Sequence, residues 1–387
     1  MKSKQASKKE LWTVPLADVQ VDDELRAAVD NVVESGWWSM GPQVEEFERE
    51  FAAFVGVEFA LAVANGTAAL HLALLAAGVG AGDEVVLPSL NFVAAANSIA
   101  HTGATPVFCD IVGPDDLNLD PADIEAAVGP RTKAVVVLHY GGFPCDMQAV
   151  RAIADEHDLI VIEDAAHAPG ATWRGEPCGA LGLVGCFSFF SNKNMPVGEG
   201  GMVVTDDAGL AEQLRLLRSH GMTTLTWARH RGHASSYDVL LPGFNYRLDE
   251  LRAAMGLVQL RRLPAENAGR AEIAARYREA LHGTSGVTIP FGELEEGTTS
   301  AHHLAVALMP EGRRDDVRAK LVENRIQTSV HYPPIHLFSH YSGHGVARAL
   351  PRTEDVAERL VTLPLFARMQ DEQVEFVIEN VLAALNT

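Results

Sequence analysis

Phe59-Ala60-Leu61-Ala62-Val63-Ala64-Asn65-Gly66-Thr67-Ala68-Ala69-Leu70-His71-Leu72-Ala73-Leu74-Leu75-Ala76-Ala77 holds one complete unit of the fold. Residues 59–63 are an apolar strand, Asn65-Gly66-Thr67 a turn, and residues 68–77 an apolar helix. The unit recurs downstream. Strands are predicted over 84–87, 105–109, 134–138, 159–162, 184–189 and 202–205, with helices over 91–101, 121–128, 147–157 and 208–218. Short continuous apolar strands alternating with helices imply a mostly parallel sheet covered on both faces, seven-stranded when the first strand is included. In such sheets ligands bind beyond the carboxyl ends of the strands.

Working outward, two helices precede the first strand, over 21–34 and 43–55, the second carrying Val44, Phe47, Phe51 and Phe54 at helical spacing. Between them lies a loop with two tryptophans, Ser35-Gly36-Trp37-Trp38-Ser39-Met40-Gly41-Pro42. Residues 1–11 are polar, rich in lysine and lack an apolar segment, so they read as a disordered tail and not as a signal peptide. Residues 219–242 are polar, rich in His and Arg and without periodicity: a long loop of the kind that is often functional. One long helix, or two broken at Pro264, follows over 248–275. Beyond residue 283 the pattern becomes α+β, with strands over 303–308 and 328–331 and helices over 313–324 and 371–385. The expected organisation is a large α/β domain over 12–255 and a small C-terminal α+β domain over 256–387.

The composition is that of a soluble globular chain: 387 residues, 47% hydrophobic and 21% charged. A net charge of −20 argues against nucleic acid or an anionic membrane as a partner. It leaves room for a small anion held by local dipoles and arginines. Cys109, Cys145, Cys178 and Cys186 form neither a C-x-x-C pair nor a zinc spacing, which suits free thiols in a reducing compartment. No apolar run reaches membrane-spanning length, so the expected location is the cytoplasm.

Three stretches at carboxyl ends of predicted strands could carry chemistry. Asn65-Gly66-Thr67 opens a helix; its backbone N–H groups, a glycine and a hydroxyl suit a phosphate, although the same residues also make a glycine turn with a threonine cap. Glu163-Asp164-Ala165-Ala166-His167 puts a carboxylate at the rim of the sheet, where it could pair with a cationic heterocycle, hold a metal or cap a helix. Ser188-Phe189-Phe190-Ser191-Asn192-Lys193 brings a lysine between two apolar strand patterns, in a chain with three lysines after residue 10. A loop lysine is ordinarily solvated. A phosphate cradle, a rim aspartate and a near-buried amine together suggest pyridoxal phosphate (PLP), whose phosphate needs dipoles, whose ring nitrogen needs an anion and whose aldehyde needs an amine.

These stretches resemble the sugar aminotransferases of the DegT/DnrJ/EryC1/StrS family from about residue 12 to the end. The resemblance is carried by Asn65-Gly-Thr-Ala-Ala-Leu-His-Leu-Ala-Leu, Pro88-Ser-Leu-Asn-Phe-Val-Ala-Ala-Ala-Asn, Val161-Ile-Glu-Asp-Ala-Ala-His-Ala and the segment 187–201. Gly243-Phe-Asn-Tyr-Arg-Leu-Asp-Glu-Leu-Arg-Ala-Ala, His331-Tyr-Pro-Pro-Ile-His336 and Leu363-Pro-Leu-Phe continue it. It implies the fold-type-I aminotransferase architecture, with Lys193 carrying PLP as a Schiff base and shuttling protons. Asp164 would hold the pyridine nitrogen protonated, and Phe92 would stack on the ring. Gly66, Thr67 and Ser188 would bind the phosphate. Asn245 would reach it from a neighbouring subunit, which implies a homodimer with shared sites. His167 would contact the ring near its 3-hydroxyl, where the family more often has glutamine. Trp38, Met40, Gly41, Arg229, His331 and Tyr332 would border the sugar, and Arg229 and Arg231 could serve a diphosphate. Related 3-dehydratases have histidine in place of the lysine, so Lys193 argues for transamination. The expected substrates are a thymidine diphosphate-linked 4-keto-6-deoxyhexose and L-glutamate. A 3-keto nucleotide sugar or a cyclitol ketone such as scyllo-inosose is the alternative ketone, and a non-catalytic PLP-binding scaffold or regulator the alternative class.

Overall fold

The structure is a computed structural model that describes residues 11–224, 236–342 and 348–386; of the predicted tail over 1–11, residues 1–10 lie outside them. Helix α1 (Asp23–Ser35) is capped by the Asp22 carboxylate, which accepts from the Leu25 N–H, and stops at left-handed Gly36. Helix α2 (Pro42–Val55) follows with proline in its first turn. Then come β1 (Phe59–Val63), α3 (Gly66–Ala76), β2 (Glu84–Pro88), α4 (Ala94–His101), β3 (Thr105–Cys109), the hairpin β4 (Ile111–Gly113) and β5 (Asp116–Leu119), and α5 (Pro121–Ala127). They lead to β6 (Thr132–Leu138), α6 (Met147–His157), β7 (Ile160–Asp164), the small hairpin β8 (Thr172–Trp173) and β9 (Glu176–Pro177), β10 (Val184–Ser188), β11 (Gly201–Thr205) and α7 (Ala208–Arg218). The long helix α8 (Glu250–Leu281) precedes β12 (Ala305–Leu308), α9 (Arg314–Glu323), α10 (Pro351–Arg359), β13 (Leu360–Leu363) and α11 (Asp371–Leu385).

Seven strands form one sheet in the order β1-β11-β10-β7-β6-β2-β3. Pairings β10–β7, β7–β6, β6–β2 and β2–β3 are parallel; β11 runs antiparallel to both β10 and β1. With β11 alone reversed, β1, β7 and β10 all end at one edge of the sheet. The strands read as unbroken apolar runs because both faces are covered. Along β6, Val135 and Val137 pack with Phe47, Phe51 and Phe187 under α2 and α8, while Ala134 and Val136 pack with Leu61, Leu72, Ile99 and Val203 under α3 and α4. The second half of α8 (Ile273, Tyr277, Leu281) joins a third core with β12, β13, α9 and α11. All four cysteines are free and buried. No helix among the described residues is long and apolar enough to cross a membrane.

Several elements depart from the sequence expectation. Helix α8 runs unbroken through Pro264. A proline inside a helix costs about 3 kcal/mol, and packing on both sides outweighs it: Leu257, Leu260 and Leu263 are buried against the sheet, Ile273 and Tyr277 in the C-terminal core. Residue 255 therefore falls inside one helix, near its start. Residues 328–331 form no strand. Ser329 makes a single bridge to Thr362, and the partner of β12 is β13, with Ala305 opposite Leu363. Pro333 and Pro334 lack the N–H groups a ladder needs, and the His331 carbonyl accepts from the Tyr140 hydroxyl instead. The third difference is local: α4 starts at Ala94 and not at 91, which leaves Asn91 and Phe92 in the loop above the sheet edge.

Candidate active site

The edge where β1, β7 and β10 end opens into a cavity of about 390 Å³. From β1 the chain turns at Asn65, whose side-chain oxygen takes the Ala68 N–H at 2.8 Å. This cap starts α3 at Gly66 and leaves the Gly66 and Thr67 N–H groups for an outside acceptor. Ser188 ends β10 beside them. A Cβ on Gly66 would lie 2.8 Å from the Ser188 Cβ, so only glycine lets the two strand ends close into a cradle. Asp164 ends β7 and is 5% exposed. Burial raises its pKa, opposed by Lys193, the Ala166 N–H and Asn91. Lys193 hangs over the same space from the turn after β10, its N–H bonded to the Phe190 carbonyl at 2.8 Å. Burial pushes its ammonium down to about 8, with Asp164 pulling the other way.

Gly66, Thr67, Phe92, Asp164, His167, Ser188, Lys193, His331 and Tyr332 line this one cavity. Phe92 is half exposed and its ring centroid lies 5.8 Å from that of Tyr332. Burial and Lys193 hold the His331 imidazole down to about 4, and its Nδ1 sits 2.9 Å from the Thr362 hydroxyl. His167 is enclosed: Gly141 N–H donates to its Nδ1 at 3.2 Å, and its Nε2 lies 2.9 Å from the Tyr332 hydroxyl. Trp38, Met40 and Gly41 lie elsewhere, at the start of α8, where Glu250 N–H donates to the Trp38 carbonyl and the Glu250 carboxylate accepts from Gly41. Asn245 is exposed and bridges to Ser219. Arg229 and Arg231 lie outside the described residues.

Sequence reasoning missed Asn91, Asn192 and Glu199, which also line the cavity. Each lies in a stretch already quoted, yet a side chain's aim cannot be read from a loop's composition. Asn192 Oδ1 is buried with no partner among the described residues. Such an orphan at a cavity wall calls for an outside group. The residues present fit PLP: a cradle of N–H groups and hydroxyls for the phosphate, an anion for a ring nitrogen, a lysine with a lowered pKa for an aldehyde, and an unsatisfied amide oxygen beside them.

A large sheet with one reversed strand, carrying a lysine, an aspartate and a phosphate cradle at one edge, defines the class of PLP-dependent aminotransferases. Within it the match is specific: the model of the DegT/DnrJ/EryC1/StrS aminotransferase family matches residues 19–382, and the chain belongs to that family. It is 45% identical over 361 residues to the spore coat polysaccharide biosynthesis protein SpsC of Bacillus subtilis, covering 91% of this chain and 92% of that one. Among solved structures it is similar to the aminotransferase TlmJ of Streptoalloteichus hindustanus (TM-score 0.90, 39% identity, 96% of this chain and 99% of that one). It is also similar to S. venezuelae DesV in complex with a ketimine intermediate (TM-score 0.89, 37% identity, 97% and 99%). The protein is a PLP-dependent sugar aminotransferase.

Proposed function

We propose that this enzyme transfers the amino group of L-glutamate to C4 of a thymidine diphosphate-linked 4-keto-6-deoxyhexose, as a cytoplasmic homodimer with shared sites, in amino-sugar biosynthesis. The observation that carries the chemistry is the meeting of Lys193, Asp164 and the Gly66–Ser188 cradle in one cavity. Bound PLP supplies an electron sink for the substrate's α-carbon. Asp164 is the buried anion that keeps the ring nitrogen charged. Gly66, Thr67 and Ser188 hold the phosphate, joined by Asn245 of the partner subunit. Phe92 covers the ring face. Lys193 would hold the cofactor aldehyde and, with its amine free, would be the base that takes the substrate's α-proton and the acid that gives it back, a task favoured by its lowered pKa. The large sheet unit holds the cofactor, and the C-terminal unit contributes His331 and Tyr332 to the same cavity.

The test is incubation of PLP-loaded protein with glutamate and a panel of 4-keto and 3-keto nucleotide sugars and cyclitol ketones, with product mass and regiochemistry as the readout. A 4-amino nucleotide sugar is expected. Turnover confined to a 3-keto sugar or to scyllo-inosose would overturn the substrate assignment. In parallel, Lys193→Ala should lose the visible absorption band of the loaded protein; an unchanged band sinks the role given to Lys193.

A further inference from the structure

His167 sits between two partners that fix the position of its proton. A backbone N–H can only donate, so the Gly141 N–H, 3.2 Å from Nδ1, requires a lone pair there. Burial and the neighbouring Lys193, His303 and His331 hold the ring's pKa well below its ordinary value, so it is neutral at pH 7. The single proton is therefore on Nε2, 2.9 Å from the Tyr332 oxygen, and Nε2–H donates to it. The tyrosine's own proton must point elsewhere. His167 is the hydrogen-bond partner of the Tyr332 hydroxyl and no other is found among the described residues. Tyr332 lines the cavity with Lys193, Asp164 and Phe92. A charged Lys193 has no lone pair to accept with.

The ring behind is fixed in the same way. Asn194 Nδ2 donates to Asn267 Oδ1 at 2.9 Å and to the Ala301 carbonyl at 2.7 Å. Its Oδ1 thus faces His303 Nδ1 at 3.0 Å, and His303 carries its proton on Nδ1. The His303 and His167 ring centroids are 4.4 Å apart, so two neutral imidazoles pack as a wall behind the tyrosine.

We propose that His167 is a positioning residue that makes Tyr332 a fixed hydrogen-bond donor into the Lys193 cavity, aimed at an oxygen of the cofactor ring or of the bound substrate. This rests on the reading of the cavity as the cofactor site. It gives His167 a different part from direct contact with the ring, because both of its nitrogens already have protein partners.

The first test needs no cofactor. Imidazole 15N spectra of the cofactor-free protein at pH 7.5 should show His167 protonated on Nε2 alone; protonation on Nδ1 or on both nitrogens overturns the proposal. The second test uses PLP-loaded Tyr332→Phe, which keeps the ring packed on Phe92 and His167. A shift of about one unit in the pH midpoint of the visible band, without substrate, assigns the acceptor to the ring oxygen. An unmoved midpoint with a KM about 10-fold higher for L-glutamate or the best keto sugar, at similar kcat, assigns it to the substrate. If the variant shows neither change, the proposal is overturned, while the presence of the band shows independently that the cavity binds PLP. The link to His167 is read from a double-mutant cycle. His167→Phe should reproduce the Tyr332→Phe effect and add nothing to it, and full additivity breaks the link.

Discussion

Lys193 shares its cavity with Asp164, and burial brings its pKa from 10.5 down to about 8. At pH 7 that raises the fraction with a free lone pair roughly 300-fold. The same shift costs stability. The folded pKa lies below the unfolded one, so between about 8 and 10.5 the unfolded chain binds more protons and stability rises with pH; below 8 the full penalty is present. Cofactor-free Lys193→Met should therefore be more stable than the parent at pH 7 by on the order of 2–3 kcal/mol. Denaturant titrations across pH 7–10.5 check this: the gap should close as pH rises from 8, and a constant gap refutes the account. Asp164 tests the partner charge. Asp164→Asn keeps the shape and removes the anion, and turnover should fall by about 10² to 10³-fold; near-normal kcat would remove Asp164 from its role.

At the scale of elements, two helix N-termini matter, each served differently. The start of α3 stays open because Asn65 caps only the Ala68 N–H, and the Gly66 Cα packs on Ser188. Gly66→Ala should weaken PLP binding by about 10-fold or more, since a small-to-large change at a close contact costs about 1–3 kcal/mol. Equilibrium dialysis of PLP gives the answer. The start of α2 is closed from outside: the Glu250 carboxylate on α8 accepts from the N–H groups of Gly41, Gln43 and Val44 at 2.9, 2.9 and 3.0 Å. This fixes the Trp38–Gly41 loop to α8. Glu250→Ala leaves three donors unpaired, two of them buried, and should cost about 2–3 kcal/mol in denaturant unfolding, with Glu250→Gln losing less.

The whole molecule is proposed to work as a pair of chains, each site drawing Asn245 from its partner. Asn245 is exposed in the single chain and stands outside the Lys193 cavity, as that arrangement needs. Lys193→Ala and Asn245→Ala variants should each be inactive alone. After unfolding and joint refolding, hybrid dimers should recover about a quarter of parental activity, since half the dimers would hold one intact site. No recovery, with hybrids shown by mass, rules out sharing.

The sequence by itself determined the strand–helix alternation, the burial of the sheet on both faces, and the local chemistry of Gly66, Asp164, Ser188 and Lys193. These follow from periodicity and short-range pattern, which one strand or turn expresses without reference to the rest. Only the tertiary structure decided which strands pair. The order β1-β11-β10-β7 makes neighbours of residues over a hundred positions apart and gathers the three strand ends at one edge. It also decided that 360–363 and not 328–331 completes the C-terminal sheet, and that α8 continues through Pro264. The His167–Tyr332 bond spans 165 positions and was equally illegible in the chain. Hydrophobic pattern states that a face is buried, but which face meets it is settled by packing between distant segments, and the aim of a polar side chain by whichever backbone group that packing brings to it.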